Sequence, residues 1–437
     1  MSIENQQRGN KRIVRPARNV GGSLRLPGDK SISHRYAMLG AFAQGTSRFT
    51  NFSTGADCAS TLACMQALGA TVRRVEEGAV EITGVGGRVT PSSQPLDCGN
   101  SGSTMRMMSG LLAPQQGSFT LVGDASLSRR PRQRIQKPLN EMGARLTLTE
   151  GHAPLTIEGG ALNPIDYTTP VPSAQVKTCI LLAGLQTAGV TTVREAVRTR
   201  DHSELALRAF GARLTRNLDS VSIAGPQTLH AIEAAVPGDL SSAAFFLCAA
   251  TLFPGSSLVL DDLGLNPTRA ALLDVLTLLG ARISVLNLEE KHAELVGTVQ
   301  VSAPPDGLRT AEIGGALAAQ LIDELPVLAA IGPYTSGGIR IRDAKELRVK
   351  ESDRIALVAK NLRAMGAEVM EFEDGLDVPG GQTLHGATID SGGDHRIAMA
   401  FAVAALGAQG DTLIEGAESA AISFPEFFDL LDRVAER

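Results

Sequence analysis

The sequence predicts an α/β protein of two related lobes, each assembled from three helix–strand units. Three observations carry that expectation: a motif repeated half a chain apart, a helix-to-strand step that recurs along the chain, and a length of 437 residues, too great for one ordinary core. The motif Leu26-Pro27-Gly28-Asp29-Lys30-Ser31 returns as Val236-Pro237-Gly238-Asp239-Leu240-Ser241. An apolar helical stretch follows each copy, then Gly45-Thr46-Ser47 in one and Gly255-Ser256-Ser257 in the other. What both copies keep reads as structural; Lys30, kept in one, reads as chemical.

The recurring step is an apolar residue, Gly and Ala: Leu68-Gly69-Ala70, Met142-Gly143-Ala144, Phe210-Gly211-Ala212, Leu279-Gly280-Ala281 and Met365-Gly366-Ala367. Each closes a helix-like apolar pattern, as a glycine in the left-handed region does. Each also opens an alternating segment, such as Thr71-Val72-Arg73-Arg74-Val75 or Arg145-Leu146-Thr147-Leu148-Thr149, which reads as a strand. Units of about 70 residues fit six times into this length, three per half. The Pro-Gly steps near residues 27 and 237 are natural crossovers, because Pro fixes φ and Gly permits φ > 0. The first lobe is then 27–237, and residues 1–26 join 238–437 in the second.

Hydrophobic content of 43% against 20% charged residues is that of a soluble globular chain with a sizeable interior. A net charge of −5 argues against a nucleic-acid binder, so any cationic site must be local. Five cysteines form no C-x-x-C pair, which reads as free thiols in a reducing compartment and no zinc site. Residues 1–18 are polar and basic, unlike a secretory signal, and no apolar run of about 18 residues offers a membrane span. The expected setting is the cytoplasm.

Cations gather among small polar residues in several segments. In Asp29-Lys30-Ser31-Ile32-Ser33-His34-Arg35, Ser31 and Ser33 can cap a helix whose N-terminal N–H groups attract anions. A P-loop is excluded, since Asp29 rather than Gly precedes the lysine. Gly99-Asn100-Ser101-Gly102-Ser103-Thr104-Met105-Arg106 is a loop whose backbone can approach a ligand closely. Ser126-Leu127-Ser128-Arg129-Arg130-Pro131 places an arginine before a proline, in extended geometry. Glu346-Leu347-Arg348-Val349-Lys350-Glu351-Ser352-Asp353-Arg354 reads as opening a helix with Lys350 and Arg354 on one face and Glu351 at the positive end. Gly393-Asp394-His395-Arg396 leads into a very apolar helix. Each segment alone is equally an ordinary capped helix, a basic turn or a solvated salt-bridged face.

Together, in this order, the segments resemble those of the 5-enolpyruvylshikimate-3-phosphate synthases, within the enolpyruvyl transferase family. Pro172-Ser173-Ala174-Gln175 belongs to the same likeness, which runs from about residue 20 to the end. The resemblance implies a two-lobed enolpyruvyl transferase fold, an inside-out α/β barrel with three βαβαββ units per lobe. It implies transfer of the enolpyruvyl group of phosphoenolpyruvate to the 5-hydroxyl of shikimate 3-phosphate, by addition and elimination through a tetrahedral ketal. No metal or organic cofactor is implied, the partners are the two small substrates, and the chain is a monomer.

By motif position, Lys30, Ser31, Arg35, Ser173, Ala174, Gln175 and Arg200 should hold shikimate 3-phosphate, with Asp323 and Lys350 at its hydroxyls. Lys30, Gly102, Arg130, Gln175, Arg354 and Arg396 should hold phosphoenolpyruvate. Asp323 is the implied base for the hydroxyl, Glu351 the acid and base at the methylene carbon, and Lys30 a neutraliser of phosphate charge. Facing cations that anionic ligands relieve imply closure on binding. Ile422, before Ser423-Phe424-Pro425, stands where some members carry a lysine; Ala174 replaces a serine, and Met107 a proline. Two rival readings are a UDP-N-acetylglucosamine enolpyruvyl transferase, which usually has Lys-Asn where Lys30-Ser31 stands, and a non-catalytic phosphometabolite binder. Two acids among so many anion-binding cations argue against the second.

Overall fold

The structure, a computed structural model, describes residues 10–76 and 78–437. They divide into two compact units. The first is Gly28–Val236 with Glu290–Glu294; the second combines residues 10–27, Pro237–Glu289 and Leu295–Arg437.

Each unit is built around three buried helices. In the first these are α1 (Lys30–Phe42), α2 (Gly102–Leu112) and α3 (Ala174–Gly184); in the second, α4 (Leu240–Ala249), α5 (Leu325–Ile331) and α6 (His395–Leu406). Every residue of α4, α5 and α6 is buried. A helix apolar on all sides belongs at the centre of a core, with the sheets outside it. Polar side chains survive at the N-terminal ends, where N-caps are needed.

The strand plan repeats. Leu96–Asp97 runs parallel to Gly117–Val122, which pairs antiparallel with His152–Gly159, which pairs antiparallel with Arg145–Thr149. With the intervening helices this is βαβαββ, and the same order recurs from Asp166–Thr168 and from Ala311–Ile313. In the sheet that opens each unit, the parallel strand comes from just before the repeated motif. Glu233–Ala235 pairs with Thr46–Thr50, and Asn19–Arg25 with Ser257–Gly264. The last sheet takes Lys11–Val14 from the N-terminal segment, antiparallel to Thr412–Glu415. Lys11–Val14 thus supplies the antiparallel partner that the earlier sheets draw from the chain after a Gly-Ala step, so five such steps suffice for the six sheets among the described residues.

All five step glycines have φ between +90° and +104°, and strands follow at Thr71–Glu76, Arg145–Thr149, Leu214–Arg216, Arg282–Lys291 and Met370–Phe372. The repeated aspartates are both N-caps. Asp29 accepts from Ile32 N at 2.9 Å and Asp239 from Ser241 N at 2.8 Å. Ser31 and Ser33 therefore do not cap α1; they lie within it, and Ser33 Oγ instead accepts from Ser53 N at 3.0 Å.

The crossover glycines need a different reason from the one the sequence offered, since neither Gly28 nor Gly238 has positive φ. At Gly28 the requirement is close approach: a Cβ would stand 1.8 Å from Asn51 O and 2.9 Å from Val236 Cγ1. At Gly238 the nearest atom would be 3.4 Å away, an ordinary contact. Gly28→Ala should cost about 1–3 kcal/mol of stability as an overpacked site does. Gly238→Ala should stay within about 0.5 kcal/mol. Urea midpoints of the two variants check the contrast, and equal values would contradict it.

Candidate active site

In the first unit Lys30, Ser31, Gly102, Ser173, Ala174 and Gln175 stand at the N-terminal ends of the buried helices. Lys30 opens α1, and its Nζ donates to Asp57 Oδ2 at 2.9 Å. Ser101 caps α2 by accepting from Thr104 N at 3.1 Å, which sets Gly102 at the head of the helix. A Cβ on Gly102 would lie 3.1 Å from Arg106 NH1 and 3.5 Å from Arg130 NH1, so the missing side chain is a gap between two guanidinium groups. Arg130 NH2 donates to Asn100 Oδ1 at 2.7 Å. Arg106 NH1 donates to Gln175 Oε1 at 2.6 Å, and Gln175 Nε2 to Ser103 Oγ at 2.8 Å.

Arg132, almost fully buried, adds a third positive charge. Its pKa is lowered to about 9, first by burial and then by Arg106 and Arg130. Like charges gathered this closely are held at an electrostatic cost that an anion relieves. Ser173 caps α3 through Val176 N, and Ala174 is the first residue of that helix. Arg35 is buried, donating from Nε to Ser203 Oγ at 2.7 Å, from NH1 to Ser31 O at 2.8 Å and from NH2 to Thr178 Oγ1 at 3.1 Å. Burial lowers its pKa to about 10, opposed by Glu204, Asp29 and Glu294 and reinforced by the nearby charge of Arg200.

In the second unit the centre is Arg354, whose side chain is 1% exposed. Its Nε donates to Asp394 Oδ2 at 2.8 Å and its NH2 to Asp394 Oδ1 at 3.2 Å, a two-pronged pair. NH2 also donates to Glu351 Oε2 at 2.6 Å, and NH1 lies 3.7 Å from Asp323 Oδ1. Burial alone would lower the pKa of Arg354, but Asp394 and Glu351 raise it above the ordinary value. Lys350 Nζ reaches Asp323 Oδ1 at 3.4 Å, and Arg396 NH1 donates to the Asp323 carbonyl at 2.7 Å. Asp323, Lys350, Glu351, Arg354 and Arg396 thus form one cluster.

The three carboxylates differ in access. Asp394 is fully buried, caps α6 through Arg396 N at 2.9 Å, and accepts from Ser352 Oγ at 2.9 Å. Asp323 and Glu351 keep 20% and 18% of their side chains exposed. Asp394 therefore holds the cluster together, while Asp323 and Glu351 can meet a reactant. The expected single helical face is corrected here. Lys345–Val349 is a 3-10 turn, Lys350 has non-helical backbone, and the α-helix runs Arg354–Ala364 behind the N-cap Asp353. Lys350 and Glu351 reach the cluster from the connecting turn because Asp353 intercepts the cap by accepting from Ala356 N at 3.0 Å.

Asp57, Arg106 and Arg132 received no role from the sequence. A signal existed for the first two. Asp57 opens a helix, Ala56–Ala67, where a carboxylate is favoured, and Arg106 lies one turn after Gly102 on α2. Arg132 carried none, because its burial is a tertiary fact.

The family described as EPSP synthase (3-phosphoshikimate 1-carboxyvinyltransferase) matches residues 14–431. A Koribacter versatilis protein named 3-phosphoshikimate 1-carboxyvinyltransferase is 63% identical over 424 residues, covering 97% of this chain and 99% of that one. A Synechocystis protein of the same name is 48% identical, covering 100% and 99%. Among solved structures, an EPSP synthase from Acinetobacter baumannii superposes with a TM-score of 0.85 at 38% identity, covering 97% and 98%. The enolpyruvyl transferase NikO from Streptomyces tendae shares the fold, with a TM-score of 0.77 at 20% identity, covering 97% and 96%.

Proposed function

Because this chain belongs to the EPSP synthase family, we propose that its two clusters carry out enolpyruvyl transfer from phosphoenolpyruvate to the 5-hydroxyl of shikimate 3-phosphate. The comparisons favour this acceptor over UDP-N-acetylglucosamine. The observation that carries the catalytic assignment is that Asp323 and Glu351, two partly exposed carboxylates, share the Arg354 guanidinium. The reaction needs two distinct proton handlers, and this geometry supplies them side by side.

Asp323 takes the proton of the 5-hydroxyl as its oxygen bonds to C2 of phosphoenolpyruvate. The double-bond electrons move to the methylene carbon, which takes a proton from Glu351, giving the tetrahedral ketal. In the second half Glu351 recovers a proton from the new methyl group, the double bond re-forms, and the C2–O bond to phosphate breaks. Lys30, Gly102, Arg130, Gln175, Arg354 and Arg396 hold phosphoenolpyruvate, with Lys30 offsetting charge on the departing phosphate. Lys30, Ser31, Arg35, Ser173, Ala174, Gln175 and Arg200 hold shikimate 3-phosphate, with Asp323 and Lys350 at its hydroxyls. Guanidinium forks match the planar carboxylate and the phosphate oxygens. The chain works as a monomer in the cytoplasm on these two small molecules.

The gap at Gly102 bears on ligand size. Gly102→Ala places a methyl group 3.1 Å from Arg106 NH1, so that guanidinium must give way. The variant should weaken glyphosate, longer than phosphoenolpyruvate, at least tenfold more than the substrate, a difference of about 1.4 kcal/mol. Inhibition constants set against KM for phosphoenolpyruvate check this, and equal losses for both would overturn the steric account. The function itself is tested by phosphate release. The protein should release phosphate from phosphoenolpyruvate with shikimate 3-phosphate and not with UDP-N-acetylglucosamine; the reverse pattern would overturn the assignment.

A further inference from the structure

His34 sits one turn after Lys30 on α1, is buried, and has no part in the chemistry above. Its Nδ1 lies 2.7 Å from Thr61 Oγ1, and that oxygen lies 2.6 Å from Thr104 Oγ1. Thr104 Oγ1 donates to Ser101 Oγ at 2.7 Å. Ser101 is the N-cap of α2, so the chain of polar side chains ends at the residue before Gly102. All four are 0% exposed.

Each helix that the chain crosses also carries a site residue. Lys30 precedes His34 by one turn on α1, Asp57 precedes Thr61 by one turn on Ala56–Ala67, and Gly102 heads α2. Residues four apart share a helical face. Thr61 Oγ1 also stands 3.4 Å from the Asp57 carbonyl. The Lys30–Asp57 pair and the Gly102 turn are therefore tied by one buried line of hydrogen bonds.

Counting hydrogens fixes its direction. A hydroxyl has one to give, and Thr104 gives its own to Ser101. Thr61 must then donate to Thr104, which obliges His34 to donate from Nδ1–H. His34 Nε2 is buried without a hydrogen-bond partner, so a proton there would be left unsatisfied. The neutral ring agrees with its surroundings: burial, then the charges of Lys30 and Arg35, holds its pKa well below the usual 6.5.

We propose that the His34–Thr61–Thr104–Ser101 chain is a positioning device that sets Lys30 and the Gly102 turn in register for phosphoenolpyruvate, with Thr61 as its hub. The inference rests on the assignment of phosphoenolpyruvate to Lys30, Gly102 and Arg130. Lys30, Ser31 and Arg35, assigned to shikimate 3-phosphate, share α1 with His34, but the Gly102 turn serves phosphoenolpyruvate alone, and Ser173 and Ala174, which hold shikimate 3-phosphate from α3, lie off the chain.

Thr61→Val removes the hydroxyl at nearly constant shape and cuts both links. It should raise KM for phosphoenolpyruvate about tenfold, roughly the loss of one buried hydrogen-bond link, with a clearly smaller rise, about threefold or less, in KM for shikimate 3-phosphate. Thr61→Ser keeps the hydroxyl and should restore the wild-type value. Thr104→Val cuts the same chain one link later and should reproduce the split, which keeps the test open if Thr61→Val folds poorly. Equal changes in both KM values, no change in either, or a Thr61→Ser variant as impaired as Thr61→Val would overturn the inference. An unmodified protein that releases no phosphate from the two substrates would instead overturn the functional reading on which it rests.

Discussion

Replacing Glu351 by Gln is expected to lower kcat about a thousandfold, within the range that general acid–base groups supply. The amide keeps nearly the same shape and can still accept the hydrogen bond that Arg354 NH2 gives Glu351 Oε2 at 2.6 Å. The cluster should stay assembled, and KM for shikimate 3-phosphate should change little. What the amide lacks is a proton to give to the methylene carbon and the capacity to take one back. Because the proposed mechanism uses that group in both halves of the reaction, neither half can bypass it. Steady-state phosphate release at saturating substrates, with circular dichroism to show a native fold, measures the effect. A loss of less than about tenfold would place the methylene proton on another residue.

Asp394→Asn should cost about 3 kcal/mol of stability, the lower end of what removing one partner of a buried ion pair costs. Asparagine caps helices about as well as aspartate, so α6 keeps its cap and the change isolates the charge. Arg354, at 1% exposure, then has no buried counter-ion and must lean on Glu351 and Asp323. The sign of the pH dependence follows from the carboxyl. Burial pushes the Asp394 pKa up, but the charge and hydrogen bonds of Arg354 together with His395 outweigh burial and the nearby Glu351, and the carboxyl stays below its usual 3.8. Its contribution is present above the unfolded value near 3.8 and is lost as pH falls through the lower folded value. The gap in urea midpoint between wild type and variant should be full at pH 7 and narrow only under strongly acid conditions. A gap that stayed constant down to pH 3 would contradict this account.

Both residues show how far the sequence could be read. Glu351 and Asp394 stand in motifs whose order resembles one family's, so their identity was visible before any coordinates. Their difference was not: only packing makes one carboxylate 18% exposed and the other fully buried. Period and punctuation carried the architecture, since a glycine that ends a helix and an alternating run that starts a strand are local signals. The strand contributed by Lys11–Val14 is a non-local pairing, and nothing in its own residues announces its partner. The same limit applies to Lys350. Spacing placed it on a helix, but Asp353 starts the helix later, and Lys350 reaches Asp323 from a turn. Thr61 is the extreme case, an unremarked hydroxyl on an apolar helix that gains meaning only from what lies beside it.

The division of labour between Asp323 and Glu351 is tested most directly by running the reaction in deuterium oxide and following the vinyl hydrogens of the product by mass spectrometry. If Glu351 protonates the methylene carbon and later removes a hydrogen from the resulting methyl group, wild-type turnover must leave deuterium in the vinyl group. In Glu351→Gln the rate of that incorporation should fall with kcat, whereas Asp323→Asn should still exchange any ketal it is given. Deuterium entering at the wild-type rate in Glu351→Gln would contradict the account.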